Sequence, residues 1–369
     1  MSIESDLKKD GIEVISQLDT LRVNSIARAV SIGLCETFPS LKFNQNELFI
    51  KLSRLNMYVA TMPDGMAEAN YFYKNSSIYF NSKLDDDDLE EFAIHECIHY
   101  LQEVKDKRNY LLRMGLCDYT EFKIYGLGLN EAAVQLMASK VLAIPKEYVK
   151  YYNLSFETIS PSYYPLECCL ASQLAYLVGE DVLFESTFNS NDNFKNKLVE
   201  AIGYKNFMTV QENFDKILMA EEDIIKINNK ILQIDDRNKK VDNMINKIGS
   251  LKNSVTTNFI KTQNLIISSY FDKAFLEIND LEGVENYRRR LYNFKDYLAS
   301  TDNYTFFNNY YVDKMVDLED KYNLLENNTV DSSMYLVKRK NSKILSFFRF
   351  IRSLFISKNF ESSKSESNN

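Results

Sequence analysis

Along the 369-residue chain the apolar positions change spacing several times, and each change predicts a different element. Residues 1 to 40 carry apolar side chains at helical intervals as far as Pro39, which predicts an N-terminal helical segment. NELFIKLSRLNMYVA (46 to 60) ends in strand-like alternation. ANYFYKNSSIYFN (69 to 81) alternates on both sides of Lys74-Asn75-Ser76 and predicts a hairpin. The next stretch, SKLDDDDLEEFAIHECIHYLQEV (82 to 104), opens on acids, which complement the positive end of a helix dipole. Asp85 and Asp88 have capping-box-like spacing there, so the acidic run reads as helix initiation. From about 108 to 205 the pattern is helical, with breaks at Gly126-Leu127-Gly128, Pro145 and between Pro161 and Pro165.

A different regime begins near residue 209. Ile217, Ile224, Ile231, Ile245, Phe259 and Ile266 fall on one heptad position. Ala220, Ile227, Ile234, Val241, Ile248 and Val255 fall on the other, with Asn238 and Lys252 as polar interruptions. This predicts a long helix or a helical hairpin with coiled-coil packing, and a surface for self-association over 209 to 270. Helical patterning continues to about residue 328. The tail differs again. Between 338 and 358 it places Lys338, Arg339, Lys340, Lys343, Arg349, Arg352 and Lys358 around ILSFFRFIRSLFI with no acid. Such a cationic amphipathic segment suits an anionic membrane surface, or packs its apolar face on the core or on another subunit. The last residues have the composition of a disordered end. The chain thus divides into 1 to 40, 41 to 205, 206 to 330 and 331 to 369.

Composition supports a helix-rich α+β fold. Only 10 glycines and 5 prolines occur, against 45% hydrophobic and 13% aromatic residues. The net charge of −8 argues against a nucleic-acid partner. Five cysteines without C-x-x-C spacing do not form a disulfide framework or a thiolate metal site, which points to a reducing, cytoplasmic compartment. MSIESDLKKDGIEVISQ has no apolar core of a secretory signal, and no 18-residue apolar stretch predicts a membrane span.

The chemistry concentrates in HECIH. Both histidines of the chain, His95 and His99, lie four residues apart with Glu96 between them. Random placement of two histidines gives this arrangement on the order of once in two thousand. Positions i and i+4 lie one turn apart on one helix face, so both imidazoles can address one cation while Glu96 reaches a water on it. Zinc needs a third protein ligand, and with no further histidine this must be a carboxylate or thiolate. GLGLNEAAVQLMASK (126 to 140) offers Glu131, with Asn130 as a candidate N-cap that would place Glu131 in the first helical turn. Glu121, 22 residues after His99, and Asp118 are further candidates. Cys97 points away from the cation, because two positions along a helix swing a side chain by about 200°.

HECIH followed by NEAAVQ resembles the gluzincin, or thermolysin-like, clan of zinc metallopeptidases, over roughly residues 69 to 140. The resemblance implies a zincin-like domain, a small antiparallel sheet with active-site helices, followed here by the helical coiled-coil region. It implies that His95, His99 and Glu131 bind Zn2+ and that Glu96 is the general base. Where the clan has an aspartate behind one histidine ligand, this chain has Gln135, which can still accept a hydrogen bond. The clan's oxyanion-stabilising histidine has no counterpart; Tyr163 and Tyr164, and less directly Tyr125, are the candidates. The implied activity is hydrolysis of a peptide or protein substrate, docked as a strand on the edge of the 69 to 81 hairpin. The alternative is a non-catalytic scaffold of the same fold that acts through its helical C-terminal half.

Overall fold

The computed structural model describes residues 7–8, 11–63, 68–85, 88–108, 110–119, 124–234, 239–298 and 305–326. Glu121, Asn238 and the basic tail at 338 to 358 lie outside the described residues.

The chain is mostly helical with small sheets. The main sheet has four strands, β1 (Glu13–Gln17), β2 (Asn56–Thr61), β3 (Ala69–Phe72) and β4 (Ser77–Asn81), in the order β1-β2-β4-β3. The expected hairpin is present: β3 pairs antiparallel with β4, with Tyr71 opposite Ile78. The sheet as a whole departs from the expected antiparallel form. β2 runs parallel to β4, with Tyr58 opposite Tyr79, so the hairpin inserts β4 beside β2 and leaves β3 at an edge.

Residues 13 to 17 correct the N-terminal expectation. They form β1, antiparallel to β2, with every side chain exposed. Backbone pairing, not side-chain burial, holds this strand, and a hydrophobic-period reading is blind to that. Helix α1 (Thr20–Thr37) follows as the pattern predicts, its first turn bonded to the Asp19 carboxylate through Arg22 N–H at 2.8 Å. A 3-10 turn at Pro39–Leu41 leads to α2 (Gln45–Leu52), capped by Asn44.

Helix α3 (Leu89–Leu101) carries HECIH. It begins behind Asp88, whose side chain makes no cap bond; Glu90 and Glu91 supply the negative charge in its first turn. α3 is buried on most of its circumference, with Ala93, Ile94, Cys97 and Ile98 all in the core. Helix α4 (Leu127–Val141) is buried still more fully and packs against α3.

Between and after these helices the helical reading fails in two places. β5 (Glu103–Lys105) with β6 (Leu111–Met114), and β7 (Asp118–Tyr119) with β8 (Ile124–Tyr125), form two small hairpins. β9 (Glu147–Tyr151) and β10 (Leu154–Thr158) form a third. The last turns through Tyr152 and Asn153, both at positive φ (46° and 64°), the geometry that suits the twist of a two-residue hairpin.

Helices α5 (Pro165–Val178) and α6 (Glu180–Asn189) pack against α4, and α7 (Asn193–Ile202) packs against α5 and α6. Two long helices follow, α8 (Tyr204–Leu232) and α9 (Lys239–Leu276), and they pack against each other. Ile217, Ile224, Ile227, Val241, Ile248, Val255 and Ile266 of the repeat are buried, whereas Ile245 is exposed. One hydrophobic core runs from Val23 to Ile266 and takes in residues of α1 to α9. Each fully buried Leu, Ile or Phe in it contributes about 1.5–3 kcal/mol of transfer free energy. The expected boundary at 205/206 falls just inside α8. Helices α10 (Leu281–Leu298) and α11 (Thr305–Glu326) end the described chain. Contacts divide the chain into two units, Met1–Glu277 with Leu291–Tyr311, and Ile278–Arg290 with Val312–Asn369. The first contains the core and every residue of the site below; in the second, Arg288 pairs with Glu285.

All five cysteines are free, and Cys97, Cys117, Cys168 and Cys169 are buried. Among the described residues, no helix is long and apolar enough to cross a membrane.

Candidate metal centre

Two helices build the centre. α3 presents His95 and His99 from successive turns of one face, and α4 brings Glu131 against them. His95 Nε2 lies 3.0 Å from His99 Nε2 and 3.3 Å from Glu131 Oε2, and His99 Nε2 lies 3.4 Å from the same oxygen. Two ligands about 2.0–2.1 Å from a tetrahedral zinc stand about 3.3–3.4 Å apart, so the three atoms already have the mutual spacing of one coordination face. They are the only group of three His, Cys, Asp or Glu ligand atoms among the described residues that could hold a metal ion.

The hydrogen bonds behind the centre prepare it for a cation. Gln135, one turn after Glu131, donates its amide to Ser139 Oγ at 3.2 Å, which turns Oε1 toward His95. His95 Nδ1 donates to that oxygen at 2.9 Å, so in the neutral ring Nε2 keeps its lone pair and directs it inward. Three electron-rich atoms then face one another in a half-buried space, which is unfavourable unless a proton or a metal ion lies between them. In the absence of metal the proton takes that place. Burial disfavours the charged form of His99, but the Glu131 carboxylate beside it and Glu96 outweigh burial and push its pKa up to about 9. Burial likewise works against ionised Glu131, and the two imidazoles overcome it, holding its carboxyl well below the usual carboxylate range. His99 Nδ1 is buried without a hydrogen-bond partner, with the Gln102 side chain beside it.

Glu96 is buried next to this group, and its Oε2 accepts the Tyr71 backbone N–H at 2.6 Å. Tyr71 lies in edge strand β3, so the carboxylate is fixed by the sheet and keeps its other oxygen free for a proton. Cys97 sits in the core, where burial raises its thiol pKa, as its helical position requires.

Asn130 corrects the expected cap. Gly126, at φ +80°, is the N-cap, α4 begins at Leu127, and Glu131 therefore falls in the second turn. Asn130 is fully buried and accepts the Leu116 N–H at 3.0 Å and the Gln102 amide at 3.3 Å, tying α4 to the end of α3 and the turn after β6. The cap is supplied from far along the chain. Asp215 of α8 accepts the N–H groups of Gly126 and Gly128, both at 2.9 Å. No local sequence signal points to this partner, 87 to 89 residues away.

The tyrosines separate. Tyr164 is at the centre: its ring stacks on His95 with centroids 6.0 Å apart, and burial together with the charges of Glu131 and Glu96 pushes its hydroxyl pKa up. It holds a left-handed backbone, φ 48°, as the residue before Pro165 opens α5. Tyr163 is turned away; its hydroxyl donates to Glu68 at 2.6 Å and its ring meets Phe92 edge-on. Tyr125 lies in β8, next to the Gly126 cap. Asp118 is paired with Lys195 at 2.8 Å and does not join the centre.

Two cavities adjoin the group. One of about 230 Å³ is lined by His95, Glu96 and Tyr164 together with Phe92 and Tyr163. The other, about 220 Å³, is lined by the same three residues with Tyr71, Glu131 and, from α8, Leu218 and Glu222. The centre is therefore reachable from both sides, and α8 forms part of its wall.

No protein-family profile, curated protein or solved structure matches the chain.

Proposed function

We propose that the protein is a zinc-dependent metallopeptidase. The observation that carries the reading is the convergence of His95 Nε2, His99 Nε2 and Glu131 Oε2 within 3.0–3.4 Å, beside a buried Glu96 and between two cavities. Two imidazoles and a carboxylate are a ligand set that suits zinc, and it matches the donor types of the gluzincin resemblance. Zinc held by these three residues supplies Lewis acidity, which polarises a carbonyl and eases removal of a proton from water.

The chain's own groups do the rest. Glu96, anchored through Oε2 by Tyr71 N–H, takes the proton at Oε1 and returns it to the leaving amine. Gln135 fixes the His95 tautomer, as the clan's aspartate does, without adding charge. Tyr164, stacked on His95 and lining both cavities, would donate its hydroxyl to a developing oxyanion. β3, at the sheet edge, offers main-chain groups to an extended peptide.

Metal analysis of the wild type beside His99→Ala and Glu131→Ala tests the centre: about one zinc per chain is expected in the first and little in the variants. Hydrolysis of a mixed peptide library then tests the activity. A wild type that binds zinc but cleaves nothing, in step with Glu96→Gln, would leave only the scaffold alternative.

A further inference from the structure

The cavity of about 230 Å³ beside His95 and Glu96 has a composition of its own. Phe92, Ala138, Leu142 and Ile144 give it an apolar wall, and Glu68 and Glu91 add two carboxylates. Neither lysine nor arginine lines it, and among the described residues neither carboxylate forms an ion pair. Both acids are built into the elements that carry the chemistry. Glu91 lies one helical turn before His95 on α3, so Glu91, His95 and His99 follow one stripe of that helix, with successive turns about 5.4 Å apart. Glu68 stands immediately before β3, and the Tyr163 hydroxyl fixes its Oε2 at 2.6 Å. A negative group held at a set distance from the reacting centre, above an apolar wall, is complementary to a side chain with a greasy stem and a positive head.

We propose that this cavity selects lysine or arginine at a substrate position adjoining the bond that is cut. The inference rests on the hydrolase reading and adds the substrate class to it. The stem of the side chain lies against Phe92, Leu142 and Ile144, and the ammonium or guanidinium group lies between Glu68 and Glu91. An acidic side chain is excluded there by like charge.

The test uses the full-length, zinc-loaded chain. Cleavage sites in a mixed peptide library are mapped by mass spectrometry, and one cleaved peptide is remade with lysine, arginine, norleucine or glutamate at the selected position. Lysine and arginine are expected to exceed norleucine at least ~10-fold in kcat/KM. In a Glu68→Gln/Glu91→Gln variant, the lysine-to-norleucine ratio is expected to fall toward one, with the norleucine peptide as internal reference. Glu91→Lys, at an exposed position, is expected to shift preference toward glutamate. Binding of the same peptides to Glu96→Gln, by fluorescence anisotropy, must follow the same order. Cleavage with no basic preference, or with a preference that both variants leave intact, overturns this inference and spares the hydrolase reading. Failure of the wild type to cleave any peptide overturns both.

Discussion

At the scale of single residues, the centre was legible where chemistry alone restricts the choice. With two histidines in the chain, the i, i+4 spacing sufficed to place both on one helix face, and a third ligand had to be a carboxylate or a thiolate. Glu131 was reached through its neighbours in NEAAVQ, yet the supporting argument for Asn130 as a cap was wrong: a glycine at positive φ and a distant aspartate do that work. Tyr163 and Tyr164 are adjacent in sequence and equal in composition. Only the left-handed turn at Tyr164 decides which of them faces His95. Two outcomes follow at this scale. Glu96→Gln should retain zinc and lower kcat by ~10²-fold or more, read as peptide hydrolysis at equal metal content. Gln135→Ala frees the His95 ring and should weaken zinc binding by ~10–100-fold, measured by competition with a chromophoric chelator.

At the scale of elements, the two long helices α8 and α9 were readable because their apolar faces repeat. The strands were harder. β1 hides no side chain, and β9 and β10 were absorbed into a helical reading although EYVKYYNLSFET alternates in register, Val149 opposite Phe156. Their signal was the Tyr152-Asn153 pair, an αL-tolerant asparagine between two aromatic-rich runs. The approach of α4 to α8 leaves a sharper mark. A Cβ on Gly128 would stand 2.5 Å from the Phe214 carbonyl oxygen, closer than any contact permits, and backbone cannot yield as a side chain can. Gly128→Ala should therefore destabilise the protein by about 1–3 kcal/mol in urea denaturation and reduce zinc affinity, since the helix that must move carries Glu131.

At the scale of the whole molecule, the proposed metal and one buried acid pair bear on the response to conditions. On the proposed reading, zinc held by the folded chain and not by the unfolded one adds about 2.7 kcal/mol at 100 times Kd, and chelation should lower Tm accordingly in a thermal scan. Glu167 of α5 and Glu221 of α8 face each other in the core, with Glu167 wholly inaccessible and both of its oxygens unpartnered. Burial raises both carboxyls above their usual range, and the charge of Glu167 further resists the ionisation of Glu221. A raised folded-state pKa means that the pair's contribution is intact below the ordinary carboxylate range. It is lost as pH climbs from that range through neutrality, where the unfolded chain has already released protons that the folded chain still holds. Glu167→Gln should flatten the fall in Tm between pH 5 and pH 9; an unchanged slope would refute this account. Neither acid stood out in the sequence, because α5 and α8 meet only in three dimensions.

The Asp215 clamp sets a rule for anyone who shortens the gene. A fragment stopped at residue 205 would keep HECIH and NEAAVQ yet lose the carboxylate that seats the first turn of the ligand-bearing helix, along with the Leu218 and Glu222 wall. Such a fragment should be made soluble only with difficulty and should arrive without metal. The smallest piece that can be expected to act alone extends through the second long helix.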